Sequence, residues 1–454
     1  MTLLSQADRQ LLDRTVQSRT RLKAGLDAGH ALSEKSMNRA SWLDFTTLPG
    51  WHDQKMLRST ASALGLRDPY FLIHEGDAGA STTVDGRKMH NFSSYDYLGF
   101  NQHQAVRAAA KAAIDRYGVS ASASRLVAGE RPVHRALEAA LADHYHQEDC
   151  LTFVSGHATN VAAIVALLGP KDLVLHDGLA HNSIVMGAEM SRAERRSFPH
   201  NDLAALEAIL RSVRGHFERV LIVAEGHYSM DGDICDLPSL VAIKERHHAW
   251  LMIDDAHGLG VLGAQGLGIF EHCNVDPRKV DIWMGTLSKT LAGCGGYIAG
   301  PTALVDFLKR SAGGFVYSVA MPPAVAAAAH EALQRLRQEP ERVLKLHANA
   351  TAFRKLAVDA GLDVGLSMGG AIVPIMTGSS IRAVTLSQRL FDRGVNVQPI
   401  IYPAIPERLA RLRFFLSCEH TFAQIEEVVP LIAEELKIAS ASSLTGLVRR
   451  NEPL

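Results

Sequence analysis

Lys289 closes the run Trp283-Met284-Gly285-Thr286-Leu287-Ser288-Lys289, and thirty-five residues earlier the apolar run Trp250 to Ile253 ends in Asp254-Asp255-Ala256-His257. One apolar run delivers an acid to its end, and a second delivers a lysine flanked by hydroxyls. A lysine can hold an aldehyde as a Schiff base, and a carboxylate can keep a pyridine nitrogen protonated so that the ring acts as an electron sink. Those are the needs of a pyridoxal phosphate (PLP) site. Each residue alone has a plainer reading. Lone lysines are usually solvated, and an Asp-Asp pair after a strand is often a turn or a cap. The joint pattern outweighs these because further strand ends carry compatible groups.

The segment Phe153-Val154-Ser155-Gly156-His157 runs from an apolar stretch through a glycine into a helical one, which suits a phosphate at free backbone N–H groups. Asp177 to His181 and Glu225 to Gly232 follow two more apolar runs. In open α/β sheets ligands sit beyond the carboxyl ends of the strands. Five such segments in this order make a strong joint signal.

The elements that must position them are legible as continuous apolar runs, Leu151 to Val154, Leu173 to Leu175, Val220 to Ala224 and Trp250 to Ile253, separated by helical stretches. Strands apolar on both faces belong to a mostly parallel sheet covered by helices. From about Phe315 the character changes. An Ala-rich helix is expected over Pro323 to Arg337, then strands at Ala371 to Met376, Asn396 to Tyr402 and Leu412 to Leu416. A closing helix should follow Thr421, whose pairing with Gln424 predicts a capping box. The expected organisation is an accessory segment over 1–85, with a first helix hinted at by Leu3, Leu4, Leu11, Leu12 and Val16, then a large cofactor domain over 86–340, a small α+β domain over 341–440 and a loose tail over 441–454.

Composition narrows the function class. The 454 residues are 47% hydrophobic and 21% charged, with a formal net charge of −1, which gives no electrostatic case for nucleic acid or an anionic membrane. The cluster Arg192 to Arg196 reads as a solvated face. Five scattered cysteines without a CxxC pair fit a reducing, cytoplasmic setting and supply no zinc site. His144/His146 and His247/His248 lack the spacing of a metal helix, so no metal is expected. No signal peptide and no transmembrane run is apparent.

The chain resembles the α-oxoamine synthases, fold-type I PLP enzymes, over about Asn91 to Leu436. The resemblance is carried by NFSSYDYLG (Asn91 to Gly99), SRLVAGE with His134 (from Ser124), SGHATN, LAHNS, EGHYSMDGD, DDAHGLG, TLSKTLAGCGGY and LRFFLSCEHT. It implies an α/β fold with a large, mostly parallel sheet of the seven-stranded type and a smaller C-terminal α+β domain. It implies an acyltransferase that condenses a small amino acid with an acyl thioester, on coenzyme A or an acyl carrier protein, losing carbon dioxide to give an α-amino ketone. It further implies that Lys289 forms the Schiff base and later moves the Cα proton, and that Asp254 pairs with the pyridine nitrogen. His257 and Ser229 would lie near the phenolic oxygen, and His181 would stack on the ring. Gly156 and His157 would donate backbone N–H groups to the phosphate, helped by Thr286. Arg413 would grip the substrate carboxylate.

Departures from the family pattern bear on specificity. Tyr95 stands where biotin-precursor synthases carry asparagine and serine palmitoyltransferases carry tyrosine, so it is expected at the substrate. Ser120 to Ser124 replaces a glycine-rich stretch. Ser318 is kept, but Val319 and Ala320 replace hydroxyls, some of which in the family reach the neighbouring subunit's phosphate. A homodimer is implied, and the extended N-terminus points to a secondary-metabolite or lipid role. Three rivals are weighed: a nicotinamide oxidoreductase, because Gly258 to Gly263 spells GxGxxG, which fails on context since the motif follows the Asp-Asp-Ala-His turn and shows no clear helix start; a partner subunit without activity, against which Lys289 speaks; and a PLP aminotransferase.

Overall fold

The computed structural model describes residues 42–63 and 65–448 in two compact units, divided after Arg67. The expected first helix around Leu3 to Val16 lies outside the described residues. In the first unit Asp44 caps a short turn over Phe45–Thr47, and the helix Pro49–Ala63 follows.

The second unit is built on seven strands: β1 (Asp149–Phe153), β2 (Leu173–Asp177), β3 (Glu194–Phe198), β4 (Val220–Glu225), β5 (Trp250–Asp254), β6 (Ile282–Thr286) and β7 (Gly296–Gly300). Their order across the sheet is β1-β7-β6-β5-β4-β2-β3. Only β7 runs antiparallel to its neighbours; the other pairs are parallel. This is the mostly parallel sheet that the apolar runs predict.

Side-chain alternation sends each strand into two separate cores. Leu173, Leu175, Ile222, Leu251, Ile253, Trp283 and Tyr297 pack on one face. Val174, Leu221, Val223, Met252, Met284 and Ile298 pack on the other, with Ile164 and Ile184 from the helices Gly156–Leu167 and Asn182–Ser191. Burial of both faces explains why these strands read as unbroken apolar runs. The edge strand β3 differs. Arg195 and Arg196 pair with Glu189 and Glu194 at its largely exposed surface, a charged edge that discourages further strand pairing.

The C-terminal part carries a three-stranded antiparallel sheet in which Arg411–Phe415 lies between Ile372–Met376 and Pro399–Ile400. The helix Phe422–Val448 closes it. The expected capping box is present: Thr421 N donates to Gln424 Oε1 at 2.8 Å, and Gln424 N donates to Thr421 Oγ1 at 3.2 Å. That helix continues through the stretch expected as a loose tail as far as Val448.

One expected boundary moves. The strands His74–Glu75 and Ser81–Val84, inside the expected accessory segment, form a meander with Arg87–Asn91, which pairs in parallel with Val395–Asn396. Residues 68–85 therefore belong to the main unit. The short alternating run Ser81–Val84 has too few apolar residues to announce itself as a strand.

Candidate active site

The register of the parallel strands brings their carboxyl ends level. Glu225 on β4 lies opposite Asp254 on β5, and Asp254 opposite Met284 on β6. Lys289 follows β6 by three residues, and Thr286 ends that strand. Lys289 is half-buried. Burial pulls its ammonium down to about 8, although the charges of Asp254 and Glu225 oppose this. Its Nζ lies 5.9 Å from the centre of the Tyr95 ring.

Asp254 is buried and supplied with donors. Asn160 Nδ2 donates to its Oδ2 at 2.8 Å, and the N–H of Ala256 to its Oδ1 at 3.1 Å. Beside it, Glu225 accepts the N–H of His181 at 2.6 Å. Burial, with the nearby charge of Asp254, pushes the Glu225 carboxyl up to about 8. His181 caps the helix Asn182–Ser191, and burial holds its imidazole below the ordinary range. His257 is buried, and its Nδ1 shares a 2.7 Å hydrogen bond with the Tyr97 hydroxyl. Burial, then the charge of Lys289, keeps it well below the ordinary histidine range.

A phosphate-sized corner lies at the start of the helix Gly156–Leu167. Ser155 Oγ accepts from Ala158 N at 3.3 Å, while the N–H groups of Gly156 and His157 have no acceptor among the described residues. A Cβ on Gly156 would stand 3.0 Å from Thr286 Oγ1, a tight contact that glycine avoids. His157 is exposed, with its ring 6.3 Å from that of His181.

Arg413 projects from Arg411–Phe415 with its guanidinium 4.6 Å from the centre of the Phe415 ring. Its Nη1 donates to Ser229 O at 2.8 Å, and its Nε is buried without a partner. The Ser229 carbonyl thus holds Arg413. Tyr95 meets Phe415 edge-on at 4.7 Å and His257 at 6.0 Å. Tyr95, Lys289 and Ser288 line a cavity of about 520 Å³, walled on its other side by residues of the stretch 69–78, Tyr70 and Leu72 among them.

Of the residues singled out by sequence, Lys289, Asp254, His181, His257, Arg413 and Tyr95 converge, with Gly156, His157, Thr286 and Ser229 around them. Ser318 does not join them. It is half-buried after the helix Gly313–Val316, and its N–H donates locally to Phe315 O. Sequence reasoning passed over Asn160, Ser183, Glu225 and Tyr97. All four sit inside the quoted motifs, but polar residues there look like ordinary caps and turns until the fold joins them. The GxGxxG stretch forms successive turns with no helix before Ile269–His272, so it offers no pyrophosphate seat. Among the described residues no cluster of His, Cys, Asp or Glu could hold a metal.

The donor set fits pyridoxal phosphate: an unpaired helix N-terminus for the phosphate, a buried acid for a ring nitrogen, a lysine of lowered basicity, and an arginine with a spare donor. The family model for class I and II aminotransferases matches residues 87–432. Among curated relatives, an 8-amino-7-oxononanoate synthase of Treponema denticola is 37% identical over 84% of this chain and 96% of its own. One of Methylococcus capsulatus is 39% identical over 83% and 97%. The chain belongs to the α-oxoamine synthases of the class I and II aminotransferase family. Among solved structures, a serine palmitoyltransferase from S. paucimobilis with a bound PLP–myriocin aldimine superposes with a TM-score of 0.84. It is 27% identical and covers 88% of this chain and 100% of its own. An 8-amino-7-oxononanoate synthase from Francisella tularensis gives 0.67 at 26% identity, over 77% and 98%. Among the described residues no helix of this α-oxoamine synthase is long and apolar enough to cross a membrane.

Proposed function

We propose that this chain catalyses a PLP-dependent decarboxylative condensation of a small amino acid with an acyl thioester, releasing carbon dioxide and free thiol and leaving an α-amino ketone. The observation that carries this reading is Lys289, lowered to about 8 within electrostatic reach of Asp254, Glu225 and Arg413, whose Nε has no partner among the described residues.

When bound, PLP supplies an electron sink for charge developing at the amino acid's Cα. The chain's own residues do the rest. Lys289 carries the cofactor and then moves a proton at Cα, for which a basicity near neutral pH is suited. Asp254 keeps the ring nitrogen protonated. His181 covers one ring face and excludes water. His257, fixed by Tyr97, and Ser229 would serve the cofactor's phenolic oxygen. Gly156, His157 and Thr286 seat the phosphate. Arg413 holds the substrate carboxylate through charge-assisted hydrogen bonds, and Tyr95 borders the amino-acid side of the cavity.

The test is a mass balance. Carbon dioxide and thiol should form in equal amounts with a small amino acid and an acyl thioester. Transfer of the amino group to an oxo acid without carbon dioxide would instead assign transamination. Borohydride reduction of the holoenzyme should leave a stable adduct on the Lys289 peptide; an adduct on another lysine overturns the site. The enzyme is read as a cytoplasmic homodimer, with five free cysteines in keeping with a reducing compartment. Tyr317 and Val319 are exposed beside Ser318, as a surface covered by a second copy would be. Sedimentation of an active monomer would refute the dimer.

A further inference from the structure

Asn160 and Ser183 are fully buried polar residues beneath the site, and the functional reading gives them no task. The Asn160 amide has two hydrogens, and both are directed. One goes to Asp254 Oδ2 at 2.8 Å, the other to Ser183 Oγ at 2.9 Å. Ser183 Oγ lies 2.7 Å from His181 Nδ1. Because Asp254 only accepts, Asn160 must donate to it, and the same NH₂ group must donate to Ser183. The Ser183 hydroxyl could accept a second bond, but His181 Nδ1 already faces the Ser183 N–H, so between Oγ and Nδ1 the hydroxyl is the donor. The Ser183 N–H points at the same nitrogen from 3.3 Å.

We infer that Asn160 and Ser183 are positioning residues that fix His181 as a neutral imidazole with its proton on Nε2, and tie that choice to the carboxylate of Asp254. In the chain Asp254–Asn160–Ser183–His181 the acid end sets the two Asn160 bonds, and the Ser183 N–H at the helix start sets the last one. Two donors converge on Nδ1, so a proton there would face an N–H and displace an O–H that has no other acceptor among the described residues. The charged and titratable groups facing His181 are Asp254, Glu225, Lys289, Arg413 and His157. Burial holds the ring below the ordinary range against the opposing charge of Asp254, and the cations Lys289 and Arg413 add to the lowering.

The inference rests on the proposed function for its consequence. A neutral ring can lie against a protonated cofactor ring, whereas an imidazolium there would meet like charge without solvent between them. It also separates the two jobs of Asp254, which serves the ring nitrogen and orders the group stacked above it.

The test reads ring nitrogens in ¹⁵N-histidine holoenzyme, with His181→Gln used to assign the signal. Wild type should show Nε2 protonated and Nδ1 as a hydrogen-bonded acceptor. In Asn160→Asp the new carboxyl accepts from Ser183. The hydroxyl then turns, and His181 Nδ1 becomes the protonated nitrogen. Adding Ser183→Ala should abolish that inversion. Ser183→Ala alone removes two contacts without adding bulk. It should keep the tautomer and move the Nδ1 resonance downfield, toward that of a free acceptor. Unchanged His181 nitrogens in Asn160→Asp, or an unmoved Nδ1 in Ser183→Ala, overturn the relay; if Asn160→Asp does not fold, Ser183→Ala decides alone. Failure of the functional reading looks different. Wild type would then give no borohydride adduct at Lys289, whatever its histidine tautomers.

Discussion

Asp254 and Asp255 are consecutive and carry the same group, yet they face opposite sides of the sheet. Strand alternation continues past Ile253, so Asp254 turns toward the face of Met252 and the helix Gly156–Leu167, while Asp255 turns toward Tyr145 and Trp283. Asp254 meets donors from Asn160 and Ala256, with Lys289 close by. Asp255 meets few, the backbone N–H of Ile269 chief among them. Its Oδ2 is 3.5 Å from the Tyr145 hydroxyl, its Oδ1 has no partner, and burial pushes it well above the ordinary carboxylate range. Three glycines clear the room it occupies: a Cβ on Gly258, Gly268 or Gly226 would stand 1.8, 2.2 or 2.4 Å from its oxygens. Chemistry follows from the donors around a carboxyl, not from its presence at a strand end.

The largest effect expected is on the Asp254 side. Asp254→Asn should keep the fold and bind PLP, but lose turnover by about a hundredfold or more, near 2.7 kcal/mol in barrier. An amide neither holds the ring nitrogen protonated nor orders Asn160 as the acid does. Steady-state rates at saturating cofactor check this. Turnover near wild type would mean that the wrong acid has been assigned.

The Asp255 side should break through folding instead. Gly258→Ala places a methyl 1.8 Å from Asp255 Oδ1, the end of a short and fully buried side chain with little room to yield. A loss of roughly 3 kcal/mol is expected, as for other overpacked cores. Thermal melting of the purified variant measures it. A shift under about 2 °C would show that the pocket relaxes. Gly258→Ala combined with Asp255→Ala should recover part of the loss.

Arg413 tests the site side more gently. Arg413→Ala should raise the amino-acid KM by about tenfold to a hundredfold, from the roughly 1.5–3 kcal/mol carried by a hydrogen bond to a charged group. Arg413→Lys should recover only part, because an ammonium lacks the planar fork. The thioester KM should change less. An effect confined to the thioester would move Arg413 to the acyl side.

How much of this was written in the sequence follows the same division. The sheet was legible because strands buried on both faces read as apolar runs, and Lys289, Asp254 and Arg413 because their motifs are specific. The relay through Asn160 and Ser183 was not, since it joins two helix starts that only the fold brings together. The meander from His74 to Asn91 was missed because its burial is shallow and its pairing with Val395–Asn396 spans some three hundred residues. Ser318 was named from the family pattern, and within one chain it reaches none of the other site residues.

Asp255→Asn gives the smallest effect on turnover and the cleanest sign. Asp255 touches no site group, so kcat should stay within about threefold. Stability should respond through linkage. The folded carboxyl titrates well above its unfolded value, which is near 3.9. The proton it retains therefore stabilises the native state fully below about pH 4. That advantage fades as pH rises, by about 1.4 kcal/mol per unit, because only the unfolded chain gains by ionising. Asparagine has no such slope. Relative to wild type, Asp255→Asn should therefore gain stability as pH rises above about 4, until the folded carboxyl itself ionises, whatever its offset at low pH. Urea midpoints across that range measure the difference. Parallel curves for the two proteins would mean that Asp255 is ionised in the native state, and the contrast between the two acids would collapse.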